Sequence, residues 1–286
     1  MAGPIRILLQ TTIEPTTDDW HIGRFSRLRH HLESMAGVEV TARDREARSG
    51  DTDPVLGGLD TSDFDELWLF AVDTGDGLNT DECGAISRFR KQGGGLMVTR
   101  DHMDLGSSVC TLGGVGEAHY FHSRNLDPDE SRRTRDDPYT TNIDWPNYHS
   151  GANGDFQTIS LQGEPHPVFR KPDGGLISHL PAHPHEGAVA APPGDPSARV
   201  IATGLSQATG RPFNIAVAFE PSEAGGPAIA QSTFHHFADY NLDPRLGSPS
   251  FVTEPPGDAV LRDEAAMAET VGYFQNVARW LAGRPL

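Results

Sequence analysis

Short apolar runs alternate with amphipathic segments through the first hundred residues, and this alternation restricts the fold more than any other feature of the chain. Residues 5–10 (IRILLQ) form an apolar run ended by polar residues, the pattern of a buried parallel strand. Residues 23–35 then place Phe25, Leu28, Leu32 and Met35 at helical spacing. Second and third strands follow at 38–41 (VEVT) and 66–72 (ELWLFAV). Residues 80–92 predict a helix: Thr80 caps it ahead of Asp81 and Glu82, Ile86 and Phe89 share a face, and Gly93, Gly94 and Gly95 stop it. A fourth strand occupies 96–99. This order specifies an α/β fold with an open, mainly parallel sheet flanked by helices.

Beyond residue 100 the pattern changes. Residues 101–195 have little periodicity and many Gly, Pro, Asn and His, yet they keep Trp145, Tyr148, Phe156, Ile159, Val168 and Phe169. They read as a long loop-rich insertion covering the active-site edge, not as a disordered linker. Apolar runs return at 200–202, 213–219 and 228–234. Residues 258–281 predict a helix with a stripe of Met267, Val271, Phe274, Val277, Ala278 and Leu281. A single α/β domain over 1–286 is expected.

With 23 Lys and Arg against 40 Asp and Glu, the net charge is −17. Phosphate backbones attract basic surfaces, so a nucleic-acid partner is excluded, and an anionic membrane is disfavoured. No stretch approaches the roughly 20 apolar residues of a membrane helix, and the first ten residues lack the features of a secretory signal. Cys83 and Cys110 are too few for a disulfide framework, so a cytoplasmic location is expected. Self-association into a homo-oligomer is compatible with these features.

Three segments carry a resemblance: residues 78–92 (LNTDECGAISRFRKQ), the glycine turn and strand at 93–99 (GGGLMVT), and the late strand at 228–236 (AIAQSTFHH). In their order the chain resembles the class I glutamine amidotransferase-like fold, a flavodoxin-like arrangement, and more closely its ThuA-like (trehalose-utilisation protein-like) family. The resemblance implies a histidine after the late strand and a function on a sugar derivative or another polar small molecule. The amidotransferases place a nucleophilic cysteine in a glycine-flanked turn after the fourth strand. Here that strand runs into Arg100, Asp101, His102, Met103 and Asp104, and Cys110 comes later without flanking glycines. Thiol-mediated amide hydrolysis is therefore rejected.

Histidine supplies the chemistry instead. Ten of the thirteen histidines fall between positions 102 and 236. In an open parallel sheet, ligands bind beyond the carboxyl ends of the strands, where Asp101, His102 and Asp104 lie. His183 and His185 flank Pro184 and precede Glu186; an extended His-x-His aims both rings to one side, and imidazole with carboxylate suits zinc. His235 and His236 follow the late strand, and adjacent residues of an extended segment face opposite ways, so one of the two enters the pocket. His119 and His122 share a face only if their segment is helical. Trp145, Tyr148, His149 and Asn153 combine aromatic faces with hydrogen-bonding groups, a mixture that suits a sugar, and Trp20 and Arg24 extend the lining.

The expectation is a metal-dependent hydrolase or lyase acting on a polar small molecule. His102, His183, His185, His235 and His236 are the candidate ligands of a divalent ion, zinc before others, and Asp104, Glu186 and His102 the candidate proton-transfer groups. A metal-free acid/base hydrolase and a non-catalytic sugar-binding protein are the alternatives.

Overall fold

The computed structural model describes residues 3–48, 50–136, 140 and 142–286. Among the described residues, twelve strands run in chain order as β1 (Ile5–Thr11), β2 (Val38–Arg43), β3 (Glu66–Phe70), β4 (Gly95–Thr99), β5 (His119–Tyr120), β6 (Phe156–Thr158), β7 (Ser160–Leu161), β8 (His179–Pro181), β9 (Ala188–Val189), β10 (Ala198–Leu205), β11 (Pro212–Phe219) and β12 (Ala228–Gln231). The α-helices are α1 (Ser26–Glu33), α2 (Pro54–Gly57), α3 (Thr80–Lys91), α4 (Asp239–Leu242) and α5 (Glu264–Leu281).

Eight strands make one sheet in the order β2-β1-β3-β4-β12-β11-β10-β7. The five from β2 to β12 are mutually parallel, and β11, β10 and β7 extend them antiparallel. The fold is thus α/β with a mainly parallel sheet. Alternation along each strand sends successive side chains to opposite faces, and both faces are covered. Ile7, Leu9, Trp68, Phe70 and Met97 pack in one core with Phe25, Leu28 and Leu32 near α1 and Phe274, Val277 and Leu281 of α5. Leu8, Leu67, Leu69, Leu96 and Val98 pack in the other with Ile86 and Phe89 of α3.

Local details differ from the sequence reading at helix starts. Asn79, not Thr80, caps α3: its Oδ1 accepts from the backbone N–H groups of Asp81 and Glu82, both at 3.1 Å, while Glu82 Oε2 accepts from Asn79 N at 2.9 Å. This reciprocal pair satisfies donors that a threonine one position later would leave open. The last helix begins at Glu264, where Asp263 accepts from Ala266 N at 2.9 Å, and Ala259–Leu261 forms a separate 3-10 turn.

Cys83 of α3 and Cys110 form a disulfide. Such bonds persist in oxidising surroundings, so the cysteines lend no support to a cytoplasmic location. Among the described residues, no helix is long and apolar enough to cross a membrane.

The register of the two central parallel strands positions the site. β4 and β12 pair with Thr99 opposite Gln231, and the match continues past both ends through a hydrogen bond from Phe234 N to Arg100 O of 2.9 Å. Asp101 is thereby set beside Thr233 at the carboxyl edge of the sheet.

Candidate metal centre

A cavity of about 620 Å³ opens at this edge. Its walls come from Asp19 and Trp20 after β1, Val72 and Thr74 after β3, residues 101–105 after β4, and His235 after β12. Asn153, His183 and His185 of the long middle segment and Phe251 and Glu254 from before α5 complete it.

Three side chains converge there. Asp101, His183 and His235 each offer one ligand atom, all lying within 4.8 Å of one another. His183 Nε2 is 3.3 Å from Asp101 Oδ1, and His235 Nε2 is 3.6 Å from Asp101 Oδ2. Donors bound at about 2.1 Å to one tetrahedral ion stand about 3.4 Å apart, so both separations suit a shared cation.

Each ligand is held by its neighbours. Thr233 Oγ1 accepts from His235 N at 3.1 Å, starting the turn that carries His235, and donates to Asp101 Oδ1 at 2.7 Å. His183 is fixed through Ser150, whose N donates to His183 O and whose Oγ accepts from His183 N. The rings of His183 and His235 stack, with centroids 3.5 Å apart and planes 12° apart.

The tautomers follow from two asparagines. Asn241 Nδ2 donates to the carbonyl of Ala182 at 3.0 Å, which fixes the orientation of that amide. The same Nδ2 donates to Asn153 Oδ1 at 2.8 Å. The acceptor oxygens left for the rings are Asn241 Oδ1, 2.9 Å from His235 Nδ1, and Asn153 Oδ1, 2.8 Å from His183 Nδ1. Both Nδ1 atoms must therefore carry the proton, and both Nε2 lone pairs face the Asp101 carboxylate. His183 Nε2 is buried and makes no hydrogen bond.

The electrostatics preserve this state. Burial drives His183 down to about 4, against the pull of Asp101, and drives His235 well below its ordinary value. Burial opposes ionisation of Asp101, but the positive charge that His183, His102 and His235 take up in acid and the hydrogen bond from His102 outweigh it and hold the carboxyl well below its usual range, so that at neutral pH it is ionised beside uncharged rings. Two neutral imidazoles and one carboxylate thus meet at a point with no proton to share. Lone pairs so arranged repel unless a cation joins them, and each imidazole has the outer-shell acceptor expected of a metal ligand.

The other sequence candidates take different places. His102 lines the cavity, but its Nδ1 donates to Asp101 Oδ2 at 2.8 Å, and it is not among the converging donors. His185 also lines the cavity, with Nδ1 3.1 Å from Asn147 Oδ1 and Nε2 3.1 Å from Glu254 Oε1. His236 and Glu186 are buried together outside the cavity lining, with His236 Nε2 3.3 Å from Glu186 Oε1. Ser150, Gln157 and Ser232 also donate to Glu186, so its carboxylate is already satisfied. Asp104 lines the cavity and accepts from Ser123 N and Oγ at 3.0 Å.

Of the expected substrate contacts, Trp20 and Asn153 line the cavity, and the Trp20 ring meets His235 edge-on at 4.5 Å. Arg24, Trp145, Tyr148 and His149 are not part of the lining. Arg24 donates to Asp19 O, Tyr148 stacks on Phe213 at 5.0 Å, the Trp145 carbonyl accepts from His122, and His149 donates to Pro184 O. His119 is fully buried, and neither ring nitrogen has a partner.

Sequence reasoning placed Asp101 at this edge but preferred His102 as the ligand, and it missed the paired amides of Asn153 and Asn241, and Glu254. Burial works to raise Glu254, but hydrogen bonds from Thr140 and His185 overcome it and bring the carboxyl down to about 2. The available signal for Asp101 was its position at the first turn after β4.

No protein-family model and no curated protein matches this chain. Among solved structures, the chain is similar to one described as the glutaminase domain of Trypanosoma brucei CTPS with bound acivicin, at 13% identity and a TM-score of 0.48, over 99% of this chain and 95% of that one.

Proposed function

We propose that the chain is a zinc-dependent hydrolase of ThuA-like fold acting on a polar small molecule at the Asp101, His183 and His235 centre. The observation that carries this reading is the convergence of two Nε2 lone pairs on a buried carboxylate, with both tautomers fixed by asparagine. Two imidazoles and one carboxylate form a donor set suited to zinc and to non-haem iron, and leave positions open for water and substrate. A divalent cation held there supplies Lewis-acid activation of water or of a carbonyl.

The chain's own residues supply the rest. His102 donates from Nδ1 to Asp101, so its Nε2 is free to accept a proton, and its side chain keeps 21% exposure within the cavity wall. That places a base beside the centre without making it a ligand. Asp104 stands in the same wall as a further candidate for proton transfer, and Glu254 as a fixed carboxylate.

Metal analysis of protein purified without chelators or a histidine tag tests the centre. About one equivalent of metal is expected, falling to background in His183→Ala and His235→Ala. Absence of metal, together with no uptake on titration with zinc, would sink the proposal. The His102 to Asp101 hydrogen bond also favours a second reading, metal-free acid/base hydrolysis by that pair, which activity surviving exhaustive chelation would select.

A further inference from the structure

Lining residues of one sign set the charge that a cavity accepts. Around the candidate centre the walls carry Asp19, Asp104 and Glu254 in addition to Asp101. Among the described residues that line the cavity there is no Lys or Arg. None of the residues left undescribed is Lys or Arg either, since these are Met1, Ala2, Ser49, Asp137, Pro138, Tyr139 and Thr141. Arg24 turns away to Asp18 and to the backbone of Asp19, and Arg100, which precedes Asp101, is fully buried outside the lining with its Nη2 donating to Met103 O.

A divalent cation on Asp101 leaves one positive charge facing three wall carboxylates, so the field inside the cavity favours positive ligands. The apolar parts of the wall act in the same direction. Trp20, almost fully buried, and Phe251, which is 55% exposed, are aromatic surfaces that attract a protonated nitrogen. Asn153, also buried, lines the cavity and leaves its Nδ2 without a partner, a donor for an oxygen of the same ligand.

We infer that the cavity binds small molecules carrying a protonated amine, with the cationic nitrogen held against Glu254 and Asp104 and an acceptor oxygen turned toward the centre. Phosphorylated and carboxylate ligands are disfavoured. This inference rests on reading the cavity as the active site, but it uses wall residues that are not ligands.

A matched series of four-carbon probes tests it: butane-1,4-diamine, butane-1,4-diol and succinate, titrated calorimetrically into zinc-treated full-length protein at neutral pH. The diamine is expected to bind at least about tenfold more tightly than either other probe. Glu254→Gln and Asp104→Asn are each expected to weaken the diamine about tenfold while zinc content stays at the wild-type value and each variant still melts cooperatively. Succinate or the diol binding as well as the diamine would overturn the inference, as would diamine binding that neither substitution affects. Zinc content is read separately. Diamine binding that responds to Glu254→Gln in a protein without zinc uptake would refute the metal centre and keep this inference, and zinc uptake without diamine binding would do the reverse.

Discussion

The imidazoles of His183 and His235 lie face to face, 3.5 Å between centroids, each donating from Nδ1 to a different asparagine. Two stacked rings at that distance cannot both be charged without strong repulsion. The stack therefore belongs to a neutral pair whose remaining lone pairs point at Asp101, and the asparagines set its geometry.

Removing the asparagine support should loosen the centre without abolishing it. Asn241→Ala and Asn153→Ala are expected to lower zinc affinity about 10- to 100-fold, as is usual when the acceptor behind a ligating imidazole is lost. Competition with a chromophoric chelator measures this. Unchanged affinity in both variants would show that the amides do not orient the ligands.

His102 and Asp101 should separate cleanly. His102→Ala is expected to keep about one equivalent of zinc and to lose about 10²- to 10⁴-fold in turnover, the span of a general base. Asp101→Asn should lose the metal itself. Metal loss in His102→Ala would instead make His102 a ligand.

The fold was largely legible because its evidence is local: the runs at 5–10, 66–72 and 96–99 are mostly apolar, with Arg6 the one polar residue away from their ends, and they contain most of the buried strands β1, β3 and β4. The site was legible only in outline. His183 and His235 stood out as histidines near strand ends, but the third partner did not. Asp101 and His102 are neighbours, and adjacent residues of an extended chain face apart, so only one can reach the centre; nothing in the sequence says which. Glu254 sits before Pro255 and Pro256 in a stretch with no periodicity, and only the tertiary path brings it to His185.

His119 makes stability depend on pH. Burial first, then Arg100 and Arg124, push it down to about 3 in the folded chain, against about 6.5 when unfolded. Between those values the unfolded state binds the extra proton, so stability is intact above pH ~6.5 and falls on acidification by up to ~1.4 kcal/mol per pH unit. His119→Leu should remove its share of this slope, to which the buried His183 and His235 also contribute, in urea titrations run with chelator from pH 7 to pH 4. An unchanged slope would remove His119 as its source.

The Cys83 to Cys110 bond closes a loop with a sequence separation of 27, for which loop entropy predicts a stabilisation of about 3 to 4 kcal/mol. Cys83→Ser with Cys110→Ser, or reduction of the native protein, should lower the urea midpoint accordingly. A midpoint that reductant leaves unchanged would argue that the bond adds nothing to stability.

Gly187 leaves no room for a side chain. A Cβ there would stand 2.4 Å from Arg100 Nη1, 2.5 Å from Asp101 O and 2.6 Å from Ser232 O. Gly187→Ala should therefore displace the backbone that carries Asp101, lowering zinc content more than any substitution of comparable size on the protein surface. Metal analysis with a thermal melt on the same sample checks this.

The three converging side chains come from the end of β4, from the long middle segment and from the turn after β12, with more than a hundred residues between the first and the last. An unfolded chain does not gather such a set, so an ion that binds only the assembled form raises the cost of unfolding with every increase in its free concentration. The ion's supply would then become a condition of the chain's lifetime: a cell poor in that metal would hold a less durable protein.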